Sequence, residues 1–306
     1  MRTVFVLIVL SLFSTALVCA QTVTPDPAKL QLASVNALIM DLNTNEILYS
    51  RNPDAIVPIA SVTKMMTALV VLDDVESAPL DEWITVDVAK TAEMNNVFSH
   101  VRLGSQLQRR DMLLLALMAS ENRAAATLAH HYSGGYDAFI TAMNVKAATL
   151  GMSNSHFVEP TGLSAGNVST PRDLALLIQA SANNPVITAL SVTPKKDVHF
   201  RAPRHVRAFY NTNPLVRAAH WQIQASKTGF TKVAGRCLLL QAEIQERRLA
   251  IVLLDSFGKR SHIGDADRVR RWLETGTGGA VHPTALAYAQ RRQSLIMASK
   301  EVLSHP

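Results

Sequence analysis

Cysteine is nearly absent from this sequence: Cys19 and Cys237 are the only two in 306 residues. Cys19 lies in a leader expected to be removed, so the mature chain would keep one thiol and could form no internal disulfide even in an oxidising compartment. Cys237 sits in the apolar run Cys237-Leu238-Leu239-Leu240, the setting of a buried structural sulfur and not of a nucleophile. No His-Glu-x-x-His run occurs and His130-His131 lacks ligand spacing, so neither a catalytic metal nor any other cofactor is expected. There is no internal repeat, no low-complexity stretch and no long apolar run beyond Val18, which excludes a fibre, a disordered tail and a polytopic membrane protein. Charge of one sign is lacking too. The 30 Lys and Arg against 24 Asp and Glu leave +6, which suits an acidic polymer without singling out nucleic acid.

What is present begins with Arg2 and an apolar run from Val4 to Val18, followed by Val18-Cys19-Ala20 and the polar start Gln21-Thr22-Val23-Thr24-Pro25. This reads as a secretory signal over residues 1–20, cleaved after Ala20 to release a chain into the periplasm. Ser34 to Asp41 and Glu46 to Ser50 read as a β-hairpin closed by Leu42-Asn43-Thr44-Asn45. A helix is expected from Pro58 toward Asp73, and the middle of the chain is mostly helical. Asp111 can cap Met112 to Ala119, Arg123 to Tyr132 continues after a break, Tyr136 to Leu150 stops at Gly151, and Thr170-Pro171 opens another helix. Strand texture returns at Gln222 to Ser226, Cys237 to Ile244 and Leu249 to Leu254. Ser261 to Thr275 reads as a closing helix and residues 276–306 as a loosely held tail. On a helical projection of Thr284 to Leu303 the apolar residues form no single stripe, so no firm membrane anchor is expected there. Strands at both ends with helices between imply an α/β (α+β) fold, one antiparallel sheet completed by both termini with a helical lobe inserted.

Three short motifs carry the chemistry. Ser61-Val62-Thr63-Lys64 at a helix start places a hydroxyl and an amine across one turn, so that a lysine with a depressed pKa can act as base on the serine. Alone the motif is weak, since Ser256-Phe257-Gly258-Lys259 also matches; that copy follows a strand and reads as accidental. Ser120-Glu121-Asn122 falls at a break between helices, where a hydroxyl and an amide can face a cleft. Lys227-Thr228-Gly229 ends a strand-like run, with a cation, a hydroxyl and a Gly that leaves room for a peptide along the strand edge.

In this order the three resemble the signature set of penicillin-recognising serine enzymes, the class A β-lactamases and penicillin-binding proteins. The run Pro58 to Ala68, the run Leu113 to His131, the stretch Phe157-Val158-Glu159-Pro160-Thr161-Gly162-Leu163 and Lys227 to Thr231 are similar to the low-molecular-mass D-alanyl-D-alanine carboxypeptidases and endopeptidases, above all the penicillin-binding protein 7 type. The likeness covers the mature chain to about Gly276, implying a catalytic domain over residues 21–275. It implies that Ser61 is the acylated nucleophile, Lys64 its base and Ser120 the proton relay to the leaving amine. Asn122 would bind the acyl-side amide, Lys227 with Thr228 and Gly229 the substrate carboxylate end, and the backbone N–H groups of Ser61 and Phe230 the oxyanion. Peptidoglycan cross-links would be the substrate and β-lactams covalent inhibitors.

Three alternatives remain at this stage. A carboxypeptidase would use the same chemistry. A class A β-lactamase needs a Glu that activates the deacylating water, for which Glu159 is the only residue in a comparable loop. A non-catalytic wall-binding scaffold would have no use for the intact set of Ser61, Lys64, Ser120, Asn122 and Lys227.

Overall fold

The computed structural model describes residues 25–88, 94 and 97–304; the expected leader, its cleavage site and Cys19 lie outside the described residues. The strands are β1 (Ser34–Asp41), β2 (Ile47–Arg51), β3 (Val57–Pro58), β4 (Trp83–Thr85), β5 (Gln106–Gln108), β6 (Val168–Ser169), β7 (Lys195–Phe200), β8 (His205–Tyr210), β9 (Gln222–Thr231), β10 (Gly235–Ile244) and β11 (Arg247–Ser256). The helices are α1 (Lys64–Asp73), α2 (Arg109–Met118), α3 (Asn122–His130), α4 (Gly135–Thr149), α5 (Pro171–Ala182), α6 (Pro185–Ser191), α7 (Ser261–Thr275) and α8 (Pro283–Ser304).

Five strands form one antiparallel sheet in the order β2-β1-β11-β10-β9, so the first strands are completed by the last. Ile39 stands opposite Ile251, and Leu240 opposite the same residue on the other side. Successive side chains of a strand point to opposite faces. Along β11, Leu249, Ile251 and Leu253 pack with Trp272 of α7, whereas Ala250, Val252 and Leu254 join the core of the helical lobe. Both faces are therefore covered, and this is why β10 and β11 read as unbroken apolar runs where a half-exposed strand would alternate. Cys237 is buried in the lobe core, and its thiol is pushed up to about 12, chiefly by desolvation, which makes it a structural sulfur.

Local signals place some helix ends, though Asp111, expected to cap α2, lies inside its first turn, which begins at Arg109. Thr170 Oγ1 accepts from Asp173 N (3.1 Å) ahead of Pro171 in the first turn of α5, and Gly276 ends α7 in the left-handed region at φ 78°. Asn184 and Pro185 start α6, where Asn184 Oδ1 accepts from Val186 N at 2.9 Å. The helix expected from Pro58 starts later. Pro58 pairs with Val168 in β3, Ala60–Thr63 form a 3₁₀ turn, and α1 begins at Lys64. Ala60 sits at φ 48°, a conformation that cannot continue a helix backward.

The stretch from Gly276 is not a loose tail. Within α8, Ala285 packs with Ala33 and Val281, Ala289 is buried, and Tyr288 Oη (2.6 Å) and Arg292 Nε (2.7 Å) both donate to the buried Asp255 carboxylate. Small alanines, Leu286 and one polar clamp make this contact among the described residues, so the sequence shows no broad apolar stripe. Among the described residues, no helix is long and apolar enough to cross a membrane.

Candidate active site

A cleft of about 540 Å³ opens between β9, the terminal strand of the sheet, and the helical lobe, with Ser61, Ser120, Asn122 and Thr228 in its walls. Ser61 lies in the 3₁₀ turn, and Lys64, the first residue of α1, is wholly buried beneath it with Nζ 3.0 Å from Ser61 Oγ. The expected one-turn neighbourhood thus forms, across a 3₁₀ turn running into α1. Lys64 Nζ also donates to Asn122 Oδ1 (2.7 Å) and to the Thr161 carbonyl (2.6 Å).

These contacts fix what Lys64 can do. A neutral amine has two N–H bonds and one lone pair. Asn122 Oδ1 and the Thr161 carbonyl oxygen can only accept, so they take both N–H bonds and leave the lone pair to the Ser61 hydroxyl. Burial favours that neutral form: the Lys64 pKa is lowered to about 7, mainly by desolvation, against the opposing charges of Glu159 and Glu121. Lys227, also buried, is held well below its ordinary value by desolvation and then by Lys64.

The Thr161 carbonyl is aimed by Glu159. Its buried carboxylate accepts from Thr161 N (2.6 Å), Thr161 Oγ1 (2.5 Å), Gly162 N (2.6 Å), Ser164 N (3.3 Å) and Asn167 Nδ2 (2.9 Å). With five donors it is engaged in shaping its own loop, and nothing of it is left to activate a water. Gly162, at φ 82°, lies so close to the nucleophile's turn that a Cβ there would stand 1.9 Å from the Ala60 carbonyl oxygen.

Ser120 stands at φ 58° between α2 and α3, with Lys227 Nζ 2.8 Å from its hydroxyl. Lys227 also donates to the Thr228 carbonyl at 2.8 Å, and Thr228 Oγ1 meets Thr212 Oγ1 at 2.6 Å. Held outside favoured backbone regions at Ala60 and Ser120, the chain stores strain on both sides of the cleft. Glu121, between Ser120 and Asn122, points away and accepts from Ser99 Oγ (2.7 Å) and His100 N (2.6 Å). Gly229 lets β9 approach the turn, since a Cβ would come within 3.1 Å of Ser61 N and the Ile59 carbonyl oxygen. Phe230 follows on the cleft wall, opposite Arg236.

Apart from Glu121, the residues expected to carry the chemistry therefore meet at one cleft. Ser256 of the second Ser-x-x-Lys copy is buried against Ser34 (Oγ to Oγ, 2.6 Å), while its Lys259 turns to the cleft wall. Sequence reasoning missed Thr161, which acts through its main chain, and Thr212, Arg217, Arg236 and Arg260, which carry no motif. For Lys259 the signal was there, in the copy set aside.

Residues 20–258 match the profile of the D-alanyl-D-alanine carboxypeptidase family of peptidases. The chain belongs to that family. It is 54% identical over 266 residues to a D-alanyl-D-alanine endopeptidase of Pseudomonas aeruginosa, covering 87% of this chain and 85% of that one. To the D-alanyl-D-alanine endopeptidase of Escherichia coli it is 50% identical over 299 residues, covering 94% and 96%. The fold is that of the Streptomyces K15 DD-transpeptidase (TM-score 0.74, 26% identity, 80% of this chain and 98% of that one). It is also that of penicillin-binding protein D2 of Listeria monocytogenes in its cefotaxime-bound form (TM-score 0.69, 28% identity, 81% and 98%). The chain is thus a serine DD-peptidase of the penicillin-recognising fold, with relatives named both endopeptidase and carboxypeptidase.

Proposed function

We propose that this family member is a D-alanyl-D-alanine endopeptidase that opens peptidoglycan cross-links through an acyl-enzyme on Ser61. The observation that carries the mechanism is the Lys64 amine: buried, 3.0 Å from Ser61 Oγ and with both N–H bonds committed elsewhere. Neutral Lys64 takes the Ser61 proton as Oγ bonds to the D-alanyl carbonyl carbon. The C–N bond then breaks, with the proton passing to the leaving amine by way of Ser120, which Lys227 holds. Water then attacks the acyl carbon and gives a proton to Lys64; the acyl–Oγ bond breaks, Lys64 returns that proton to Ser61 Oγ, and the D-alanyl product leaves as a carboxylic acid. The N–H groups of Ser61 and Phe230 bind the developing oxyanion, where one such donor is worth roughly a hundredfold to a thousandfold in rate. Asn122 takes the acyl-side amide, and Lys227, Thr228 and Gly229 take the carboxylate end. β-Lactams acylate the same oxygen.

Endopeptidase action is favoured by the two relatives at 54% and 50% identity, and by a cleft open along the free edge of β9, where an extended peptide can lie. Removal of residues 1–20 would deliver the enzyme to the periplasm, with residues 21–275 as its catalytic domain. The test gives purified enzyme a pentapeptide monomer and a cross-linked dimer and follows products by chromatography. Monomers released from the dimer are expected; D-alanine release with an untouched dimer would replace this reading with the carboxypeptidase one.

A further inference from the structure

The cleft holds more positive charge than one carboxylate requires. Beyond Thr228 and Phe230, Arg217, Arg236, Lys259 and Arg260 line its sheet side, and among the described residues no Asp or Glu lines it. None of the four is paired with a carboxylate among the described residues. They come from three separate segments: the turn before β9, the start of β10, and the turn between β11 and α7. Arg236 lies 3.9 Å over the Phe230 ring, which holds its cation at the wall. His262 in the same wall is kept neutral, its pKa lowered to about 4 by desolvation and by Arg236. The segment bearing Lys259 and Arg260 follows directly on Asp255, the residue that Tyr288 and Arg292 of α8 clamp. Unpaired cations in a cleft with low-dielectric walls concentrate field on whatever anion enters.

We propose that Arg217 and Lys259 form a second anionic subsite that selects leaving groups carrying carboxylates beyond the one next to the scissile nitrogen. The inference rests on the endopeptidase reading above. Free D-alanine leaves with a single carboxylate. The stem released from a diaminopimelate cross-link also carries its D-glutamyl carboxylate and a terminal D-alanyl carboxylate, and the two cations Arg217 and Lys259 match that charge. The wall thereby sets the preference for cross-links over pentapeptides.

The experiment compares kcat/KM for two cross-linked dimers, one with the distal D-glutamyl and D-alanyl carboxylates of the leaving stem free, the other with both amidated. The free dimer is expected to be preferred by about fivefold to tenfold at low salt, the effect of two partly screened ion pairs, with the preference shrinking toward one as salt rises. In an Arg217→Gln/Lys259→Gln variant the ratio falls toward one at low salt. Equal kcat/KM for both dimers in the wild type, or an undiminished ratio in the variant, overturns the subsite while leaving the endopeptidase reading intact. Failure to cleave either dimer, with D-alanine released from the pentapeptide, overturns both.

Discussion

Lowering the pH should switch Ser61 off through Lys64. In the native protein the Lys64 pKa is about 7, against an ordinary 10.5, because its ammonium has no water around it. That difference corresponds to on the order of 5 kcal/mol disfavouring the charged form, which is what remains of the desolvation penalty after Glu159 and Glu121 have offset part of it. Only the neutral amine can accept the Ser61 proton, so the acylation rate follows the deprotonated fraction. It should rise with pH through about 7 and fall roughly tenfold per pH unit below it, to about one hundredth of its plateau at pH 5. The same shift has a stability consequence of determined sign. In the unfolded chain Lys64 keeps its proton up to about 10.5, so between pH 7 and 10.5 the unfolded state binds more protons and the Lys64 contribution to stability grows as pH rises. The assay is the second-order rate of labelling by a fluorescent penicillin, whose own carboxylate is ionised throughout, from pH 5 to 9. A rate flat from pH 5 to 8, or a rise centred near 10, would refute the assignment of Lys64 as a neutral base.

Three further outcomes follow from the packing around the cleft. Glu159→Gln removes the charge that gathers five donors and should cut acylation by at least tenfold through misplacement of the Thr161 carbonyl, while a β-lactamase-type role would instead spare acylation and block only deacylation; stopped-flow labelling separates the two. Gly162→Ala forces a Cβ into the Ala60 carbonyl at a left-handed position and should cost on the order of 3 kcal/mol, read as a lowered Tm together with lost labelling. Tyr288→Phe removes a hydrogen bond to the buried Asp255 carboxylate and should cost about 1–2 kcal/mol in denaturant unfolding; an unchanged midpoint would mean that this bond contributes nothing to stability.

Much of the site was legible because its parts are local. Ser61 and Lys64 are three residues apart, and Ser120-Glu121-Asn122 and Lys227-Thr228-Gly229 are contiguous, so each motif carries its own geometry into any fold that presents it. Thr161 had no such signal: it reaches Lys64 with a main-chain carbonyl, and the carboxylate that aims it belongs to a residue that sequence reasoning weighed as a water-activating base. Continuous apolar runs marked β10 and β11, and the Ser261–Thr275 helix was read with its observed limits because Gly276 stops it. By contrast, the β7–β8 hairpin is dominated by Lys195, Lys196, Asp197, His199, Arg201 and Arg207, which hide the inward Val198, Phe200 and Phe209. Helix α8 was hidden for the opposite reason, since its contact uses alanines and a long-range clamp that no periodicity encodes.

The most direct test of the central claim is to trap the acyl-enzyme with a β-lactam, digest it and locate the adduct by mass spectrometry. The account predicts one adduct on the Ser61 oxygen, absent from Ser61→Ala; an adduct on Ser120 or elsewhere, or labelling that persists in Ser61→Ala, would contradict it.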